Sequence, residues 1–202
     1  GSVTPKDLSA LRMGMYNKVQ NSPARESYIT FDILGGDLTQ STGNARDLIN
    51  SVLSSLNSIV ANSWNGYYNA LYQVNNVISI VEDLPESDLR NLIIGEAHYF
   101  RAYIYHSLVT RWGGVPIQRV NTMDKPFRDS EEAVWAFIEE ELETALAFLG
   151  TSSSCYYVSR DAALALKARV MLERGKKTEA AALAEGLIKD GKYKLDSFDK
   201  IF

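Results

Sequence analysis

Two histidines are the first candidates for catalysis or metal binding. His98 and His106 are eight residues apart in a segment of helical periodicity, which separates them by about 12 Å along a helix axis. That separation excludes one metal ion bound directly by both rings, and the sequence contains no His-Glu-x-x-His motif. We therefore predict that both histidines pack as aromatic-like residues with a polar tip, and that they form no metal site.

A run of acidic residues is the second candidate. Glu139, Glu140, Glu141 and Glu143 follow one another around an amphipathic helix, so most of them are expected to face water. General acid–base catalysis instead needs carboxylates that converge. The sequence also offers no glycine-rich phosphate loop, no nucleophile elbow and no Ser-His-Asp set. Enzymatic activity, hydrolysis included, is therefore not predicted.

A polar segment supplies the candidate ligand-binding residues. Residues 38–46, which follow Gly35-Gly36-Asp37, are rich in turn-forming side chains, and loops on a rigid scaffold commonly carry binding residues. The side chains that could hydrogen-bond a polyol or an acidic ligand are Asp37, Gln40, Asn44 and Arg46. An ordinary solvated loop is the alternative interpretation.

Aromatic residues at helical spacing have two interpretations. Sugars bind aromatic faces together with amide and acid hydrogen bonds, whereas packing in the core explains the same spacing more economically, and we expect core packing for most of them. The residues concerned are Trp64, Tyr67, Tyr68, Tyr72, Tyr99, Tyr103 and Tyr105. Arg101, which lies among them, is predicted to be an internal tie that needs carbonyl or carboxylate partners.

The elements that would position these side chains are helices, and the predicted fold class is all-α. Apolar periodicity predicts helices over about 4–20, 63–82, 87–112, 130–149, 159–174 and 176–191. The helix over 87–112 is apolar on two faces, so it should pack between neighbours. Gly113, Gly114 and Pro116 should end it. Helical hairpins are expected at about 63–112 and 159–191, the second close in length to repeat units of about 34 residues.

The region before the first hairpin is irregular. Residues 28–34 have the composition of a short strand, and residues 48–59 could form a short helix or an irregular segment. A long loop region with little or no strand is therefore predicted. The apolar end, Ile201 and Phe202, favours a chain that continues in the natural protein.

Composition and charge exclude several classes. With 202 residues the chain is long enough for one domain, and 46% hydrophobic with 23% charged residues is typical of a globular protein. The net charge of −4 provides no basic surface for nucleic acid. No apolar run reaches the roughly 18 residues that span a membrane. The single Cys155 cannot form an internal disulfide.

Several separated motifs, in a fixed order over roughly residues 60–202, resemble the SusD/RagB proteins of Bacteroidetes. In the first hairpin they are Trp64-x-x-Tyr67-Tyr68, Asn75-Asn76-Val77-Ile78, Gly95-Glu96-Ala97-x-x-x-Arg101-Ala102-Tyr103 and Trp112-Gly113-Gly114-Val115-Pro116. In the second they are Arg160-x-Ala162-Ala163, Ala168-Arg169-Val170-x-Leu172 and Lys192-Tyr193-x-Leu195. The motif residues assigned a structural role are Trp64, Tyr68, Glu96, Arg101, Gly113 and Pro116.

The resemblance implies a nutrient-binding lipoprotein exposed on the outer-membrane surface. Such proteins cap a TonB-dependent SusC-like porin and pass oligosaccharides or polysaccharides to it, without catalysis and without a cofactor. Their scaffold is a set of tetratricopeptide-like helix pairs in an α-α superhelix. The alternative is a helical-repeat scaffold that binds a partner protein.

The resemblance also has two departures. Family members are usually more than twice as long and carry a lipidated N-terminal cysteine. Residues 1–202 are therefore expected to be one N-terminal helical domain of a longer protein, with membrane contact only through a removed lipid anchor. Some family ligand contacts come from the region that matches residues 37–63, where this sequence has no aromatic residue before Trp64.

Overall fold

The computed structural model describes residues 3–23, 27, 33–36, 39, 45–52, 54–151 and 154–200, and within them it contains helices and no strand. The α-helices are α1 (Pro5–Asn21), α2 (Ala45–Ile49), α3 (Ser58–Glu82), α4 (Asp88–Trp112), α5 (Glu131–Phe148), α6 (Arg160–Glu173) and α7 (Lys177–Lys189). A 3-10 turn follows at Phe198–Lys200. The all-α prediction is confirmed. None of the described helices has an apolar stretch long enough to cross a bilayer.

The helices pack in chain order as tetratricopeptide-like pairs in an α-α superhelix. α3 and α4 form one hairpin, α6 and α7 form another, and α5 lies between α4 and α6. α1 packs against both α3 and α4. α4 buries fifteen of its 25 residues, because neighbours cover it on more than one side, as its two apolar faces predict.

Side-chain caps set the starts of most of these helices. At each such start a side-chain oxygen accepts a hydrogen bond from a backbone N–H of the first turn, which stabilises a helix by about 1 kcal/mol. The caps are Thr4 for α1, Asn57 for α3, Ser87 for α4, Ser130 for α5 and Ser159 for α6. Local sequence therefore determines where these five helices begin.

Glycines permit the sharp exit from α4. Gly113 has a φ of 68°, a conformation that side chains disfavour. A Cβ on Gly114 would collide with the backbone carbonyl of Asp129. The chain therefore turns back at once, and the Ile117 N–H donates to the Asp129 carboxylate at 2.7 Å. This places the connector between α4 and α5 against the first hairpin.

The structure corrects three details of the sequence prediction. α3 begins at Ser58 rather than near residue 63, because the Asn57 side chain accepts a hydrogen bond from the Ile59 N–H at 3.0 Å. Of the predicted strand over 28–34, residues 28–32 lie outside the described residues, and residues 33–35 are helical. α5 ends at Phe148, before the predicted stop at Gly150.

Candidate functional site

The predicted loop residues fall mostly in the part of the chain that the structure does not describe. Asp37, Gln40 and Asn44 lie outside the described residues. Arg46 is exposed on α2, whose Ala45 and Leu48 form a small apolar cluster that also contacts the start of α3. Arg46 is therefore held at the surface, and the four residues remain predicted ligand contacts.

Arg101 is the centre of a buried polar network. Its Nε and Nη2 donate to the two carboxylate oxygens of Glu141 at 2.7 and 2.9 Å. Its Nη1 donates to Asn75 Oδ1 at 3.0 Å and to the Arg119 carbonyl at 2.9 Å. His98 Nδ1 lies 2.8 Å from Glu141 Oε2. Arg101 thus ties α3, α4, α5 and the connector together, with carboxylate and carbonyl partners as its burial requires.

Glu141 departs from the expectation that the acidic run faces water. Glu140 and Glu143 are exposed as predicted, but the Glu141 side chain is 2% exposed. Glu141 lies three residues after Ile138 and four before Ala145, so helical geometry places it on the buried stripe of α5. Its carboxylate belongs to the core rather than to a solvated face.

Both histidines lie within hydrogen-bonding distance of a buried or partly buried carboxylate. Burial opposes ionisation of Glu141, but the hydrogen bonds from His98 and Arg101 outweigh it and hold the pKa of Glu141 below its usual value. His106 Nε2 lies 2.6 Å from Glu173 Oε2. Burial lowers the pKa of His106 despite that contact. Among the described residues no three metal-binding side chains converge. Each histidine instead shares a hydrogen bond with one carboxylate.

The aromatic family motif packs the first hairpin against the connector. The Trp64 ring lies 4.9 Å from Tyr68 and 5.3 Å from Trp112, measured between centroids. The hydroxyls of Tyr68 and Tyr105 both donate to the Pro116 carbonyl, at 3.0 and 3.1 Å. These contacts hold the two helices of the first hairpin and the connector together.

Two of the aromatic residues do not follow the core prediction. Tyr72 is 62% exposed and Tyr103 is 38% exposed, whereas Tyr67 and Tyr105 are almost completely buried. Core packing is therefore right for most of the set, as predicted, and Tyr72 and Tyr103 are the exceptions. Tyr103, on α4, lines a surface groove that is described next.

The tyrosine groove is an open depression between α1, α4, α6 and residues 154–159. It consists of two adjoining clefts of about 960 and 580 Å³ that share Cys155, Tyr157 and Ala162. Among the residues that the structure describes, six tyrosines line it, namely Tyr16, Tyr99, Tyr103, Tyr156, Tyr157 and Tyr193. Tyr156 and Tyr193 are 83% and 61% exposed. The groove therefore presents aromatic rings to solvent.

A family-motif residue holds one wall of the tyrosine groove. Glu96 is fully buried and accepts two hydrogen bonds from Arg12, at 2.7 and 2.5 Å, which raise the pKa of Arg12. The Arg12 guanidinium in turn lies 4.1 Å from the Tyr157 ring centroid. The Tyr16 hydroxyl accepts a hydrogen bond from the Val158 N–H at 2.9 Å. Two side chains of α1 therefore hold Tyr157 and Val158 in place.

Charged side chains lie at the other end of the tyrosine groove. Asp161, in the first turn of α6, accepts hydrogen bonds from the Tyr193 hydroxyl at 3.0 Å and from Lys192 Nζ at 3.3 Å. Lys192 also pairs with Asp190 at 2.8 Å. The hydrogen bonds to Asp190 and Asp161 raise the pKa of Lys192, so the ammonium is shared between two carboxylates.

Most of the groove is not predicted from the sequence. Tyr16, Tyr156, Tyr157 and Tyr193 come from segments far apart in the chain, and no local periodicity connects them. The sequence contains one signal. The Tyr156-Tyr157 pair follows a polar turn and lies two residues before the capping Ser159, and so short a segment cannot bury two rings on one side.

Comparison with known proteins identifies the class. The family model SusD-like_3, described as starch-binding associating with outer membrane, matches residues 4–172. The chain therefore belongs to this SusD-like family. The prediction from the separated motifs is confirmed.

Individual relatives agree with the family. SusD-like protein P38 of Formosa agariphila is 29% identical over 158 residues, which are 75% of this chain and 31% of that protein. A SusD superfamily protein of Bacteroides thetaiotaomicron has the same fold, with a TM-score of 0.85 and 22% identity over 98% of this chain and 49% of its own.

A further crystal structure with xylogluco-oligosaccharide superposes with a TM-score of 0.83 at 24% identity, over 94% of this chain and 41% of its own. The chain thus spans about a third of the length of its curated relatives and half or less of these solved structures.

Proposed function

We propose that this chain is the N-terminal helical domain of a cell-surface lipoprotein that captures glycans and delivers them to a SusC-like TonB-dependent porin in the outer membrane. The observation that carries the proposal is the family match over residues 4–172, since that family is described as starch-binding and associated with the outer membrane. The oligosaccharide in a structure of the same fold supports a glycan as ligand.

Binding without bond cleavage fits the chemistry of the described residues. The buried carboxylates of Glu96 and Glu141 are each held by an arginine through two hydrogen bonds. A carboxylate held in this way cannot readily act as a general acid or base. The surface instead exposes tyrosine rings with their hydroxyl groups. Such groups bind sugars by stacking and by hydrogen bonding.

A glycan panel tests the proposal. We expect the product of the complete gene to bind at least one oligosaccharide or polysaccharide measurably in calorimetry or affinity gels. Arg46→Ala should weaken that binding by about threefold or more, because it removes a charged hydrogen-bond donor to the ligand. Absence of binding across plant, algal and bacterial glycans would contradict the proposal, provided that circular dichroism shows a folded helical protein.

Delivery to a porin requires a protein contact, and one surface favours it. The connector between α4 and α5 exposes Val120, Met123 and Phe127 at 67%, 101% and 94%, and exposed apolar side chains commonly mark protein interfaces. In a pull-down from outer membranes, the complete gene product should recover a TonB-dependent porin, and Met123→Ser with Phe127→Ser should reduce the recovery. Recovery of a different partner without a porin would instead favour the helical-repeat scaffold function.

A further inference from the structure

We propose that the tyrosine groove is a binding site for uncharged oligosaccharides, in addition to the predicted contacts at Asp37, Gln40, Asn44 and Arg46. The inference rests on the proposed function and deepens it, because it names a surface and a chemical class of glycan. Its basis is the combination of exposed rings, neutral polar groups and an excess of negative charge in one groove.

The exposed rings are the first argument. Tyr156 and Tyr193 are 83% and 61% exposed, although a tyrosine ring carries a large apolar area that is normally covered. The C–H face of a sugar ring can cover an aromatic ring while its hydroxyl groups stay hydrated. The two clefts, about 960 and 580 Å³, reach the size range of small-ligand sites, about 300–1,000 Å³.

Neutral polar groups stand beside the rings. Thr151 and Ser159 supply hydroxyl groups to one cleft, and Gln20 supplies an amide to the other. Each of these side chains can both donate and accept a hydrogen bond, as each sugar hydroxyl does. The phenol groups of the tyrosines add further donors and acceptors along the same walls.

Charge decides the class of glycan. Among the described lining residues the charged ones are Asp161 and Lys192. Lys192 is shared between Asp161 and Asp190, so two carboxylates surround one ammonium and leave that end net negative. The described lining residues include no arginine, the side chain that binds carboxylates and sulfates through two parallel hydrogen bonds. A uronate or sulfated sugar would therefore meet like charge without a compensating cation.

Arg12, which contacts a ring of the groove, is not available to an anionic ligand. Arg12 lies behind the Tyr157 ring, is 17% exposed and is already bound by both oxygens of Glu96. The net charge of the chain, −4, has the same sign as the local excess. Both features favour neutral sugars over acidic ones.

Matched glycans test the charge preference in the complete gene product. Cellohexaose and β-1,4-mannohexaose are compared with the same hexasaccharides oxidised at C6 to uronates, by calorimetry at 50 mM and 500 mM NaCl. We expect the neutral member of a pair to bind at least about fivefold more tightly at low salt, and the ratio to shrink at high salt because salt screens exposed charges.

Variants locate the effect in the groove. Tyr156→Ala should weaken binding of the neutral hexasaccharide by about three- to tenfold, since it removes a stacking surface. Tyr72→Ala removes another exposed ring, 62% exposed and outside the groove, and should leave the affinity unchanged. Asp161→Asn should narrow the neutral-to-uronate ratio, whereas Asp124→Asn, a charge change on the connector, should not.

The outcomes separate the inference from the proposed function. Equal or tighter binding of the uronate, or equal effects of Tyr156→Ala and Tyr72→Ala, would overturn the inference and leave glycan capture standing. Failure of every glycan, in these pairs and in the wider panel, would overturn both. A neutral preference that depends on Tyr156 and Asp161 supports both.

Discussion

Glu141→Gln is expected to lower the free energy of unfolding by about 3–5 kcal/mol, because removal of one partner leaves the other charge of a buried pair uncompensated. Arg101 would keep its positive charge at 5% side-chain exposure, with an amide where a carboxylate stood. His98 would lose the same acceptor. Urea denaturation followed by circular dichroism measures the change.

The neighbouring residue provides the matched control for Glu141→Gln. Glu140 also forms a two-hydrogen-bond pair with an arginine, Arg119, at 2.7 Å for each bond. Both side chains of that pair are more than half exposed, so Glu140→Gln should cost only about 0–1 kcal/mol. Equal effects of the two substitutions would show that burial of the Arg101 pair carries no special stability.

Acid should reproduce part of the Glu141→Gln effect. The pKa of Glu141 is lower in the folded chain than its usual value, so the unfolded chain binds the proton more readily. The stabilisation that ionised Glu141 contributes to the fold is therefore complete above the ordinary carboxyl pKa, and it is lost as the pH falls through the lowered pKa.

A double variant, Arg101→Met with Glu141→Leu, should recover stability relative to Glu141→Gln, because it removes both charges together.

Gly66→Ala should destabilise the chain by about 1–3 kcal/mol through overpacking. A Cβ at Gly66 in α3 would meet the backbone carbonyl of Ser22 and would lie 2.8 Å from Pro23 Cα. Backbone atoms cannot move aside by changing rotamer, so the segment after α1 would have to shift. Pro23 also lines the tyrosine groove, and the substitution should therefore disturb that end of the groove as well.

Gly14→Ala is the matched control for Gly66→Ala, since Gly14 lies inside another helix, α1. Its Cβ would be 3.8 Å from Gln73 Nε2, an ordinary contact. Alanine in place of a helical glycine should then stabilise the chain by about 0.5–1 kcal/mol. Thermal unfolding of both variants should thus give shifts of opposite sign. An increase in the melting temperature of both variants would contradict the prediction, because it would mean that α1 and α3 can separate without a cost in stability.

The sequence by itself determined the helices and the identity of the family. Caps such as Thr4, Ser87 and Ser130 and the stop at Gly113 act within one turn of the chain, so local reasoning finds them. The burial of Arg101 was also predictable, because a charged residue inside a doubly apolar helix must be surrounded. The motifs that match the family lie in these same regular segments.

Only the tertiary structure decided which polar groups form hydrogen bonds with each other and which aromatic rings remain exposed to solvent. Arg12 and Glu96 are 84 positions apart, and Arg101 and Glu141 are 40 positions apart. The tyrosine groove combines side chains from α1, α4, α6 and the ends of two loops. Such contacts arise from the packing of separate helices, and no pattern within a single segment encodes them. The ligand surface therefore depends on packing, whereas the scaffold follows from local sequence.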